Sequence, residues 1–356
     1  MQFAYRFPAV KGLQAGREYY VSMIPLKVLH KIFIVSDSDV VSPEFRAQRR
    51  LNEARIPTIK NYILNNTDTY VFSALSASLD GSFQFVPYEI NSKIGVLEID
   101  MDTNFLINDG QHRKAAIEEA IRERPELGDE TISVVFFEDK GLARSQQMFT
   151  DLNKHAVKTS NSISTLYDSR DSVAVMTKQV ISEIPFFNQY TDKERDNLGK
   201  NSSKLFTLNN IYKANKRIIG TVEEVTDEDV SFLCSYWKTI VENIVEWQEL
   251  LRKEIYKNDL KQHYILCLNV TISAFGRLGA YFYHNRKAKY RDLLKRFKQI
   301  NWSRDNLDDW GGRVIGENGK ILGSEIAITL ICNRLKMVLG IPLTDFENKK
   351  ESEVKK

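Results

Sequence analysis

Five consecutive residues, Asp109-Gly110-Gln111-His112-Arg113, put an acid, a glycine, an amide, an imidazole and a guanidinium into one turn. A short apolar run, Asn104-Phe105-Leu106-Ile107-Asn108, leads into them. A helical pattern over 111–124, with Ala115, Ala116, Ile117, Ala120 and Ile121 on one face, follows. Where a strand meets a glycine and then a helix, backbone N–H groups point outward and the helix dipole adds positive potential. Gly110 lets a ligand approach the backbone, because no Cβ stands in the way. Arg113 offers a planar fork for phosphate oxygens, and His112 a second donor whose charge changes near neutral pH. Gln111 can donate and accept. Asp109 fits two roles, a helix cap or a residue holding a water or metal ion beside a phosphate. A plainer role, a capped helix start with His112 and Arg113 on the surface, uses the same residues. On its own the pattern names an anion site and no ligand.

Other residues can serve or extend such a site. Ser42-Pro43 signals a helix start, and Arg46, Arg49 and Arg50 then share a helical face, where they either reach phosphate or lie in solvent. Asn153 and His155 follow a helix expected over 143–152, where Asn153 suits the cap of that helix and His155 a surface or packing position. Further along, Asn285 to Lys298 carries seven basic residues and one acid, Asp292. On a helix, Lys287, Arg291, Lys295 and Lys298 form one stripe beside an apolar stripe of Tyr290, Leu294 and Phe297. A second patch, Lys200 to Arg217, has five basic residues and no acid, with Lys204, Lys213 and Arg217 beside Asn and Ser. Both patches suit sequence-independent contact with the DNA backbone, or an ordinary solvated surface.

The elements that position these residues fall into two kinds. Strands are expected at 17–25, 69–75, 83–86, 95–100, 104–108 and 131–137, and a helix opened by Pro57 runs to Leu64. From about residue 165 the pattern is nearly all helix: 171–183, 204–219, 227–255, 259–284, 286–299 and 324–338, with a turn at Asn318-Gly319. The expectation is a mixed α/β domain over 1–165, a helical domain over 166–345 and a disordered charged tail over 346–356.

The 356 residues suit two packed domains, and 42% apolar with 27% charged residues is ordinary for a soluble chain. A net charge of +3 places any DNA surface in local clusters rather than in bulk charge. Cys234, Cys267 and Cys332 are odd in number and lack zinc-site spacing, so they read as free thiols in a reducing compartment and no metal site is expected. MQFAYRFPAV lacks the basic start and apolar run of a signal peptide, and no run approaches a membrane span. The expected location is cytoplasmic.

Asn108 to Arg113 followed by KAAIEEAI resembles the DGQHR motif of a family of domains with a ParB/sulfiredoxin-like fold. Gln48 to Pro57, Leu127 to Ile132, Phe149 to Ala156 and Ser162 to Asp168 are similar to the DndB family of DNA sulfur modification proteins. The resemblance implies an α+β chain: a ParB/sulfiredoxin-like N-terminal domain followed by a helical one. It implies a negative regulator that binds double-stranded DNA at the promoter of its own operon, beside other DNA sulfur modification proteins and a second copy of the chain. It also implies a phosphate or nucleotide pocket made by Gly110, Gln111, His112 and Arg113 with Arg49 and Asn153. ParB proteins bind CTP and sulfiredoxins use ATP at the equivalent turn. Gln111 stands where sulfiredoxins carry the nucleophilic cysteine, which excludes that thiol chemistry here. Hydrolysis of a nucleoside triphosphate with Mg2+, through Asp109 and His112, is the alternative. A protein-interaction subunit is a third.

Overall fold

The computed structural model describes residues 3–33, 52–139, 141, 147–148, 150–152, 159–199, 201–220, 222, 224–285 and 289–354. Contacts divide the chain into two compact units, Met1–Val157 and Lys158–Lys356.

Unit 1 is built on a seven-stranded sheet in the order β4-β5-β1-β2-β7-β3-β6. The strands are β1 (Ala4–Gln14), β2 (Arg17–Pro25), β3 (Leu75–Asp80), β4 (Phe83–Pro87), β5 (Ile94–Asp100), β6 (Asn104–Asp109) and β7 (Thr131–Glu138). All neighbours are antiparallel except β3 and β7. Strands β1 and β2 form a hairpin whose two turn residues, Ala15 and Gly16, both have positive φ. Helix α1 (Leu29–Ile32), α2 (Ile56–Leu64) and α3 (Gln111–Glu123) belong to the same unit. Its core joins Phe7, Leu97, Ile99, Val134 and Phe136 of the sheet to Ile63 of α2 and Ile117 of α3. Residues 69–74, expected as strand, are turn and irregular chain, and β3 begins only at Leu75. Their backbone bonds go elsewhere: the Thr69 and Tyr70 N–H groups donate to the Asn66 carbonyl, Val71 N–H donates to Tyr62 OH, and the Ser73 and Ala74 carbonyls accept from Arg113.

Unit 2 is helical: α4 (Asn161–Tyr167), α5 (Ser172–Glu183), α6 (Pro185–Tyr190), α7 (Leu208–Ile219), α8 (Asp227–Asn243), α9 (Val245–Leu251), α10 (Lys257–His263), α11 (Asn269–His284), α12 (Tyr290–Leu294), α13 (Leu307–Trp310), α14 (Glu325–Leu339) and α15 (Asp345–Ser352). Two-residue strands β8 (Thr191–Asp192) and β9 (Phe206–Thr207) pair in parallel. Helix α11 packs between α7 and α14. A Cβ on Gly276 would lie 2.8–2.9 Å from the Ala214 backbone, so the two helices meet at a distance only glycine permits. Trp237, Trp247, Trp302 and Trp310 are all fully buried in this core. The chain is thus α+β, as expected.

Three helical expectations and that of a disordered tail are corrected. The span 227–255 breaks at Ile244, where Gln248 Nε2 caps the Val241 carbonyl at 2.7 Å. The span 259–284 breaks after His263, where Ile265 N–H turns away to the Trp302 carbonyl. At 204–219 the helix starts only at Leu208, capped by Thr207. The tail is ordered up to Ser352: Thr344 and Glu347 form a capping box, and Glu347 is bound to buried Lys336. Among the described residues no helix is long and apolar enough to cross a membrane.

Candidate functional site

Among the described residues strand β6 is a sheet edge, paired only with β3. Its register slips beside the motif: Ile107 faces Ala77 and Asp109 faces Ser76, which leaves Asn108 as the extra residue. Asn108 is buried, and its Nδ2 donates to Ser78 Oγ at 2.7 Å and to Met148 Sδ at 3.2 Å. Among the described residues its Oδ1 has no partner. Gly110 then takes φ +102° and ψ 14°, a left-handed conformation that turns the chain from β6 into α3. Among the described residues no side chain caps α3.

The side chains depart from that picture. Arg113 Nη1 donates to the carbonyls of Ser73 at 2.6 Å and Ala74 at 3.0 Å, and to Ser73 Oγ. Its Nη2 binds Asp109 Oδ2. The guanidinium fork thus ties the segment before β3 to the start of α3, and much of it is spent before any ligand arrives. Asp109 does not cap α3; its carboxylate is half exposed and turned to Arg113. His112 Nε2 accepts the Asn52 N–H at 3.0 Å, so this nitrogen acts as an acceptor and not as the expected donor. Gln111 Nε2 reaches back to the Ile107 carbonyl at 3.4 Å. The structure brings Asp109, Gly110, Gln111, His112 and Arg113 together; Arg49 and Asn153 lie outside the described residues. Asn108 and Ser73 were not anticipated. A buried amide in an apolar run was the one signal for Asn108.

Arg113→Lys is expected to cost unit 1 about 1–3 kcal/mol, because one ammonium cannot hold two carbonyls, a hydroxyl and a carboxylate. Thermal unfolding read by near-ultraviolet tyrosine dichroism checks this. A melting curve superimposable on the parent's refutes the architectural role.

A cavity of about 650 Å3 lies in the same unit, lined among others by Arg17, Glu18, Phe83, Glu138 and Asp151. Met148, which Asn108 touches, is part of its wall. Burial, then a hydrogen bond to Glu18, pushes the Tyr20 hydroxyl up, so that wall keeps a neutral phenol.

The basic residues of unit 2 are unequal. Lys204 Nζ is tethered to the Gln189 carbonyl at 2.7 Å, and Arg217 is held by Glu325 in a two-pronged pair at 2.7 and 2.9 Å. Lys213 is exposed on α7. The stripe expected across 286–299 is broken, because α12 ends at Leu294 and a tighter 3-10 turn carries Lys295 to Gln299. Lys287 lies outside the described residues. Arg291 binds Ser235 Oγ at 2.7 and 3.1 Å, Lys295 pairs with Asp292 at 2.8 Å, and Lys298 is exposed.

A model of the DndB family, described as DNA-sulfur modification-associated, matches residues 7–342. The chain belongs to the DndB family. The match runs through both units and stops before α15, so the helical half is as much a part of DndB as the motif-bearing half. Membership ties the protein to DNA sulfur modification. No curated protein and no solved structure gives a significant match.

Proposed function

We propose that the protein is a DNA-binding negative regulator of a DNA sulfur modification system, acting at the promoter of its own operon. The DndB match over residues 7–342 carries this reading. The basic residues of unit 2 favour backbone contact, Lys213 foremost because it is exposed and has no carboxylate partner among the described residues. Other DNA sulfur modification proteins and a second copy of the chain are the expected protein partners. A titration of promoter duplex against protein, at several salt concentrations, tests it. Specific binding with a steep loss of affinity as salt rises is expected. Equal affinity for promoter and unrelated duplex at every salt would overturn it.

A second reading, a nucleoside triphosphate hydrolase using Mg2+ at the motif, draws on one observation: left-handed Gly110 opens α3 with no side-chain cap. Against it, Asp109 is committed to Arg113, which weakens it as a base for water. Turnover that vanishes in Asp109→Ala and in His112→Ala, with folding retained, would favour hydrolysis.

A further inference from the structure

Two cavities in unit 2 share a wall. One, of about 480 Å3, is lined by Lys213, Lys216 and Arg217 of α7 with Ser273 of α11 and Glu325 of α14. The other, of about 320 Å3, is lined by Asp196, Thr207, Lys261, Cys267 and Arg304. Asn210 and Asn269 line both, and Asn210 Nδ2 donates to Asn269 Oδ1. The two chambers therefore form one groove divided by an amide pair.

Its charges do not balance. Five cations face two carboxylates. Glu325 is taken by Arg217. Asp196 is taken by the start of α4, accepting from the Asn161 and Ser162 N–H groups at 2.8 and 2.9 Å and from both side chains. Lys261 and Arg304 bind only backbone carbonyls: Lys261 that of Ser202 at 2.7 Å, and Arg304 those of Lys261 at 2.7 Å and Tyr264 at 3.2 Å. Among the described residues no carboxylate pairs with either. The Cys267 thiol between them is pushed up to about 12 by burial, so it supplies no negative charge near neutral pH. Burial pulls the pKa of Lys261 and of Arg304 down, as it does for cations removed from water without a counter-charge. Such groups carry a desolvation cost that a bound oxyanion offsets.

We propose that this groove is an oxyanion site for the phosphates of a nucleic-acid strand, with Lys213 and Lys216 at one chamber, Lys261 and Arg304 at the other and the Asn210–Asn269 pair between. The assignment rests on the DNA reading above and moves the contact surface from the 286–299 segment to α7 and α11. A duplex presents phosphates along an edge, and both chambers hold cations for them. The amide pair adds neutral donors and acceptors that suit sugar or base edges.

The full chain is titrated with fluorescently labelled promoter duplex and followed by anisotropy. Lys213→Ala/Lys216→Ala alters exposed side chains of α7 and should leave the fold intact, which far-ultraviolet dichroism checks. This variant should lose about tenfold in affinity near 0.1 M salt, and its salt slope should fall by about 2. Lys295→Ala/Lys298→Ala should bind like the parent. A maleimide should label Cys267 more slowly once duplex is bound. The reverse pattern, with groove variants unaffected and Lys295→Ala/Lys298→Ala weakened, overturns the groove and leaves the DNA reading standing. A parent that binds no duplex at any salt overturns both. Displacement of the duplex by an equal concentration of AMP assigns the groove to a free nucleotide and overturns the strand.

Discussion

Lys336→Met is expected to cost unit 2 about 3–5 kcal/mol, the range for removing one partner of a buried ion pair. Lys336 and Glu347 have side chains only 7% and 3% exposed, and Lys336 Nζ binds both carboxylate oxygens at 2.7 and 2.8 Å. Arg277 lies 3.6 Å from the same carboxylate and is too distant to take over those bonds. The substitution would leave Glu347 buried with one hydrogen bond, from the Thr344 N–H. All four tryptophans lie in unit 2, so tryptophan fluorescence during urea unfolding reports on that unit alone. Adding Glu347→Gln should restore most of the loss, because the unpaired charge goes with it. A single variant within about 0.5 kcal/mol of the parent would show the pair to be dispensable. The pH dependence has a defined sign. Burial works to raise the Glu347 pKa, but the bonds from Lys336 and Thr344 outweigh it and the net shift is downward. Its contribution is therefore complete above the ordinary carboxylate range and is lost as pH falls through the lowered value.

Gly110→Ala should be the most damaging change in the motif, at about 2–4 kcal/mol. Two costs combine. A side chain at φ +102° pays the left-handed penalty, and the new Cβ would lie 2.3 Å from Leu75 Cδ2. Leu75 is fully buried at the start of β3, so it has nowhere to retreat. Gly16→Ala is the control: its φ is +72°, but nothing lies within 4 Å of a Cβ there, so only the backbone penalty applies. Hydrogen exchange along β3 and β6 should accelerate in the first variant and stay near the parent's in the second. Equal protection in both would mean that the contact with Leu75 is relieved at no cost.

The strand–glycine–helix turn was legible because it is local: an apolar run, a glycine and a 3.6-residue period lie next to one another. The commitments of Arg113 and His112 were not, since their partners Ser73 and Asn52 lie 40 and 60 residues away. Strand β1 escaped notice because Pro8 interrupts it, yet β1 sits between β2 and β5. The long helical spans were placed well in register but not in extent. Their breaks at Ile244 and after His263 come from bonds made by Gln248 and Trp302, which no periodicity announces. The basic stripe failed for a related reason. Its spacing assumes 3.6 residues per turn throughout, and the chain tightens at Lys295.

The C-terminal helix also sets an order of events. Lys336 and Arg313 receive their counter-charges from Glu347 and Glu351, which lie within the last ten residues of the 356. During synthesis the rest of the helical unit is present before those two carboxylates exist outside the ribosome. Its two buried cations lack these carboxylate partners until then, so the unit reaches its final packing only once α15 has emerged. A chain cut at residue 344 would be arrested at that stage, with Lys336 and Arg313 left without the carboxylates of α15.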